Sequence, residues 1–256
     1  MARHVLEEVS ALKIRIKFAK TGPVKYVGHL DMLRYFQKLI RRAEIDICYS
    51  GGFNPHQKMS FAAPLGVGMA GEGEYVDIEV HTSTSSIQAI QALNAASVEG
   101  IEIKSFKKLP DNSLNAMSSV AAADYFVKYR DGYEPDFSLY KEFERFLCEK
   151  VIKIEKETKK SSTILDIKPL IYEYHYSCDK DFLSLPENKN GIVLKLAAGS
   201  VNNLKPSLVF AAFYHFMEKE LPEFALDITR IEIYGTVTSG EKIKFVALDN
   251  FGENIV

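Results

Sequence analysis

Apolar and basic residues alternate strictly over 12–19, apolar residues recur at helical spacing over 29–43, and the same strand–helix rhythm returns after residue 124. Together these patterns predict an α+β fold of two tandem ferredoxin-like (βαββαβ) domains. In the first segment Leu12, Ile14, Ile16 and Phe18 fall on one side and Lys13, Arg15 and Lys17 on the other, as in a half-buried strand. Leu30, Leu33, Phe36 or Gln37, Ile40 and Ala43 then form the apolar stripe of a helix. A short strand at Ile45–Tyr49 leads into a loop and a second extended piece at Lys58–Ala63. Tyr75–Val80 alternates again, with Val76, Ile78 and Val80 inward. Ser86–Ala96 reads as a helix and Ile101–Lys107 as the closing strand.

The order recurs in the second half. Tyr125–Arg130 reads as a strand, and Asp136–Glu149 as a helix with Phe137, Tyr140, Phe143 and Leu147 on one face. Val151–Glu157 and Gly191–Ala197 are read as strands, Lys205–Lys219 as a helix opened by Pro206 in its first turn, and Ala225–Val237 as the last strand. The expected division is a first domain over 1–110, a small and polar linker over 111–123, and a second domain over 124–256. Residues 162–190 have no counterpart in the first half and read as an insertion.

At 256 residues with 46% hydrophobic content, the chain is long enough for two cores. No apolar run approaches the roughly 18 residues of a membrane span, and the opening MARHVLEEVS lacks the apolar region of a signal peptide. Cys48, Cys148 and Cys178 are odd in number and widely spaced, which indicates neither a disulfide frame nor a metal knuckle. The expectation is a cytoplasmic protein with no membrane contact, no metal and no cofactor.

Charge is distributed unevenly. Between Ala11 and Ser60 ten Lys and Arg face only Asp31, Glu44 and Asp46, an excess of seven in a chain of net charge −2. With a pI near 6.3, this argues for a confined basic patch and against general coating of nucleic acid. Arg34, Lys38, Arg41 and Arg42, at i, i+4, i+7 and i+8, share one helix face and could follow a phosphate backbone; a solvated helix face is the plainer reading. In the expected sheet Lys13, Arg15 and Lys17 face Asp77 and Glu79 on one neighbour and Glu102 and Lys104 on the other, so cross-strand ion pairs follow. That open face lacks the paired aromatics on which RNA-recognition sheets stack bases.

The remaining chemistry lies in and around one loop. His29 follows Gly28 at the helix start, and His56 sits in Asn54-Pro55-His56-Gln57-Lys58. Two histidines with Lys25 or Lys58 are the equipment of a metal-independent ribonuclease, with one base, one acid and a cation for the phosphorane. Helix capping by His29 and a surface position for His56 are the simpler alternatives. Gly66-Val-Gly68-Met-Ala-Gly71 matches G-x-G-x-x-G but leads into a strand, so the dinucleotide reading fails. Lys168 and Lys205 each precede a proline, which holds them extended in defined positions. No C-x₃-C-x₂-C motif is present, so no iron–sulfur cluster is expected on this chain.

GHLDMLR at 28–34, RRAEI at 41–45 and GGFNPHQKMSFAAPLGVG at 51–68 resemble an uncharacterised bacterial family, the radical-SAM-linked or DUF2344 proteins. DIKPLI at 166–171 and NLKPSLV at 203–209 are also similar, with Lys168 and Lys205 where the family more often has Arg. The resemblance spans roughly 12–235. It implies an RNA-related context and a B12-binding radical-SAM partner, and it implies no established activity. By analogy, tandem ferredoxin-like proteins that process RNA share the expected plan.

The preferred expectation is a non-catalytic RNA-binding accessory to a radical-SAM enzyme in RNA modification or processing. Its contacts would be Lys20, Lys25, His29, Arg34, Lys38, Arg41, Arg42, Asn54, His56, Lys58, Lys168 and Lys205. The alternatives are a metal-independent endoribonuclease using His29, His56 and Lys58, and a protein adaptor that meets the radical-SAM enzyme without RNA.

Overall fold

The computed structural model describes residues 11–157, 162–176, 191–240 and 242–256. The chain's first ten residues, Cys178 and residues 177–190 of the expected insertion lie outside them. The fold is α+β, and the chain divides into two compact units, one of residues 1–119 with 236–256 and one of residues 120–235.

The first unit runs β1 (Leu12–Lys20), α1 (His29–Arg42), β2 (Met59–Phe61), β3 (Ala70–Val80), α2 (Ser86–Ala96), β4 (Ile101–Lys108) and a single turn, α3 (Ala116–Ser119). Its strands lie in the order β4-β1-β3-β2, with every one of these pairings antiparallel. The alternation of β1 buries Ile14, Ile16 and Phe18 beneath α1 and α2, and pairs Ile14 with Ile78 and Ile16 with Val76. Helix α1 buries Met32, Phe36, Leu39 and Ile40. Leu30, which the sequence pattern turned inward, is 66% exposed. At about 100° per residue it lies on the side of Arg34 and Arg41, opposite the buried stripe. Phe36 ties the helix to the sheet, with its ring 4.6 Å from Phe18 and 5.3 Å from Phe61. Ser85 and Gln88 close a capping box on α2, satisfying two of its free amides.

The second unit runs β5 (Ala122–Tyr129), α4 (Leu139–Cys148), β6 (Lys153–Glu157), β7 (Ser162–Asp166), β8 (Ile171–Tyr176), β9 (Ile192–Ala197), α5 (Pro206–Phe216) and β10 (Leu226–Ser239), which leaves the unit at Gly235. Its strand order is β10-β5-β9-β8. The core is aromatic: Phe143 lies 5.5 Å from Phe210 and 5.1 Å from Phe213, and the Tyr214 hydroxyl donates to that of Tyr129. One strand differs from its sequence assignment. Among the described residues, 153–157 pair only with β7, in a separate two-stranded hairpin. Their Lys-Ile-Glu-Lys-Glu run has a single apolar side chain to bury, too little to join the main sheet. The place beside β9 goes to β8, inside the stretch read as an insertion, where Tyr176 packs 4.6 Å from Tyr140 of α4.

After β10 the chain rejoins the first unit through β11 (Lys242–Ala247) and β12 (Glu253–Asn254), and β12 extends the sheet at β4. Gly252 makes this approach possible: a Cβ there would stand 2.9 Å from the Lys108 carbonyl oxygen. The tail also covers the sheet face away from α1 and α2. Arg15 is 1% exposed, forks onto Asp77 at 2.8 and 2.9 Å, and donates to the Leu248 carbonyl. The expected pairing toward Asp77 and Glu79 is present in register. On the other side Arg15 and Lys17 oppose Lys107 and Ser105, because β1 shifts register against β4 after Lys17.

Candidate nucleic-acid interface

The basic face of α1 is exposed along its whole length. Arg34 meets Asp31 at 3.1 Å, an ion pair whose two side chains are largely in water and so worth little. Lys38, Arg41 and Arg42 have no carboxylate partner among the described residues. Arg41 instead donates from Nε to the Gln37 carbonyl, and the Arg42 guanidinium lies 5.8 Å from the Tyr35 ring centre. Both arginines stand in the last turn, where cations also favour the helix dipole.

The loop after α1 is a hairpin docked on that helix. The Lys58 amide donates to the Cys48 carbonyl, the Ser50 amide to the His56 carbonyl, and the His56 amide to Ser50 Oγ. Gln57 Nε2 reaches the Gln37 carbonyl that Arg41 uses, so the stem of the hairpin and the end of the basic face meet at one oxygen. Gly51 through His56, with Asn54, are exposed, and Phe53 is 111% exposed. Lys58 Nζ lies 2.5 Å from Glu79, whose hydrogen bond and charge raise the lysine above its ordinary range.

A second group surrounds the start of α1. Lys20 is buried, and its Nζ donates to the carbonyls of Val27 (2.7 Å) and Lys25 (3.4 Å), which anchors the 3-10 turn Gly22–Tyr26. The Lys25 ammonium lies 5.4 Å from the Tyr26 ring, and the Gly68 amide binds the Lys25 carbonyl, fastening the Gly66–Gly71 loop to this turn. His29 is exposed, with its ring edge-on to Phe61 at 5.4 Å. It borders a pocket with Phe18, Lys20, Met32, Phe61 and Glu74 of about 20 Å³, room for one water and none for a nucleotide.

No contact joins His29 to His56 among the described residues. Gln57, the neighbour of His56, docks at Gln37, which is about 12 Å along the helix axis from His29 at 1.5 Å per residue. Lys168 and Lys205 belong to the second unit. Lys168 Nζ donates to the Leu147 carbonyl at the end of α4, while exposed Lys205 stands at the N-cap of α5. The structure therefore gathers Lys38, Arg41, Arg42, His56 and Phe53 on and around one hairpin–helix junction, sets Lys20, Lys25 and His29 at the opposite end of α1, and leaves the other two lysines in the second unit.

Two features went unseen in the sequence. One is Phe53, whose signal was available: a large apolar residue between Gly-Gly and Asn-Pro cannot reach a core. The other is a groove of about 500 Å³ lined by Lys13, Lys58, Ser60, Asp77, Leu114 and Asn115, which no local pattern marks. Among the described residues no cluster of His, Cys, Asp and Glu could hold a metal ion, and no helix is long and apolar enough to cross a membrane.

A search of curated proteins finds no match. A family model described as an uncharacterised protein conserved in bacteria, DUF2344, matches residues 13–206, the stretch that holds the basic helix, its hairpin and both lysine–proline motifs, and the chain belongs to that family.

Proposed function

We propose that this protein is a non-catalytic RNA-binding accessory that grips a phosphate backbone with the exposed face of α1 and the hairpin docked on it. The observation that carries the reading is the trio Lys38, Arg41 and Arg42, exposed and without a carboxylate partner among the described residues. Uncompensated cations on one face release counterions when they meet phosphate. The radical-SAM partner is part of the same proposal and rests on the family resemblance alone; RNA held on α1 would be presented to that enzyme for modification or processing in the cytoplasm. Each unit is further read as a ferredoxin-like domain, which the strand orders β4-β1-β3-β2 and β10-β5-β9-β8 support.

The nuclease reading needs His29 and His56 to bracket one phosphate, and their docking at opposite halves of α1 gives it no support. Titration of RNA binding against salt tests the proposal. Changing Arg34, Lys38, Arg41 and Arg42 together to Gln flattens the slope of log K against log salt by about three. A folded variant with an unchanged slope removes α1 from the interface.

A further inference from the structure

We propose that the tip of the Cys48–Lys58 hairpin is a base-stacking platform, so that the RNA taken by this protein is single-stranded, with an unpaired base laid on the ring of Phe53. This rests on the nucleic-acid reading above and names the form of the ligand. A solitary apolar side chain in water is ordinary, but the setting of Phe53 is not. Leaving the ring out forfeits the burial of a large apolar side chain, and a polar residue would make the same turn without that loss. The hairpin beneath it is clamped by three hydrogen bonds across its stem and a fourth to α1. Gly52 at φ +100° holds a backbone conformation that side chains disfavour, and Pro55 restrains Asn54. The ring is thus presented from a braced stem.

The chemistry around the stem matches a nucleotide on both counts. Arg41 and Gln57 share the Gln37 carbonyl, which brings cations that lack an acid partner to the base of the hairpin. Tyr49, 49% exposed and bonded through its hydroxyl to Gln57, adds a second aromatic surface on the same stem. A phosphate answers the cations and a base face answers the rings, and only an unpaired base offers its face, since a duplex keeps its bases stacked.

Fluorescence anisotropy with a labelled oligouridylate and a blunt RNA duplex of equal length tests this on the full chain. The protein has no Trp, so Phe53→Trp installs a single indole whose emission reports stacking. The single strand is expected to bind more tightly than the duplex. Phe53→Ala should weaken the single strand about 5- to 150-fold without changing the salt slope, and Phe53→Trp should keep the affinity and lose emission on binding. Salt-dependent binding that is equal for strand and duplex, or unaffected by Phe53→Ala, overturns the platform and leaves the RNA reading intact. Failure of folded wild-type protein to bind either probe at low salt overturns both and points to an acidic protein surface as the partner of α1.

Discussion

The first strand of each unit carries a buried charge opposite its core-facing residues, and the two charges meet different fates. Arg15 of β1 is well paired: both Asp77 oxygens face it, the Leu248 carbonyl accepts from it, and Asp77 also takes the Ala116 amide. Asp124 of β5 is 3% exposed and only half satisfied. Its Oδ2 accepts from the Tyr234 hydroxyl at 2.6 Å, while Oδ1 has no hydrogen-bond partner among the described residues. Burial raises the Asp124 carboxyl above its ordinary range, against the opposing pull of the Tyr234 hydrogen bond and of Lys195. The first strands of the two units thus hold a fully paired ion in one and a half-satisfied carboxyl in the other.

The largest test removes the partner that makes Arg15 tolerable. Asp77→Ala leaves a guanidinium buried without a counter-ion and should cost about 3–5 kcal/mol in urea unfolding. Arg15→Met with Asp77→Leu should recover most of that loss, since apolar packing commonly replaces a buried pair without penalty. A loss below 1 kcal/mol for Asp77→Ala would mean that water reaches Arg15 and that the tail does not seal this face.

The second test separates Asp124 from Arg15 by pH. A carboxyl with a raised folded pKa contributes stability below its unfolded pKa of about 3.9, and that contribution is lost as pH rises through the folded value. Asp124→Asn removes this titration, so the variant should be more stable than wild type at neutral pH, with the gap closing as pH falls toward 4. Tyr234→Phe should act in the opposite sense and cost about 1–3 kcal/mol at neutral pH by stripping the remaining donor from a buried carboxylate. Thermal unfolding across pH 4–8 checks both, and a constant gap between Asp124→Asn and wild type would show that the carboxyl does not titrate in that window.

The contrast between the units also marks where the sequence was legible. Period-two and helical patterns located β1, α1, β3, α2 and β4, because the aliphatic residues of each recur at the spacing of a strand or a helix. Pro206 of α5 added a boundary. What escaped lay outside the repeating plan or carried no pattern. The segment Ile171–Tyr176 does alternate, with Tyr172, Tyr174 and Tyr176 against Glu173 and His175, but it falls in the stretch read as an insertion, and its place in the sheet follows from β9 and α4. Two residues of β12 carry no pattern, and neither does Leu248, whose carbonyl accepts from buried Arg15. The cations of α1 were legible as a stripe. That Lys20 and Lys168 use their ammonium groups on backbone carbonyls was not, since no side-chain pattern marks the three acceptors.

The last comparison sets α1 against α4, the first helix of each unit. In α4 the cations are Lys141 and Arg145 and the acids Glu142 and Glu144, and Arg145 is paired with Glu142. Beyond α4, Lys128, Lys195 and Lys219 of that unit also meet acids. Lys141 of α4 also has no carboxylate partner among the described residues, but it stands alone where α1 carries three such cations, and those of α1 should contribute little to folding. Arg42→Gln gives the smallest expected effect. It removes a dipole interaction of about 0.3–1 kcal/mol at low ionic strength and a partly solvated contact with Tyr35 of about 0.5–1 kcal/mol, to which the new Gln restores some packing. A net loss below about 1 kcal/mol that shrinks in 0.5 M salt, read by urea unfolding, would leave Arg42 free for a ligand. A larger loss that salt does not touch would make Arg42 a packing residue, and the α1 interface would then rest on Lys38 and Arg41.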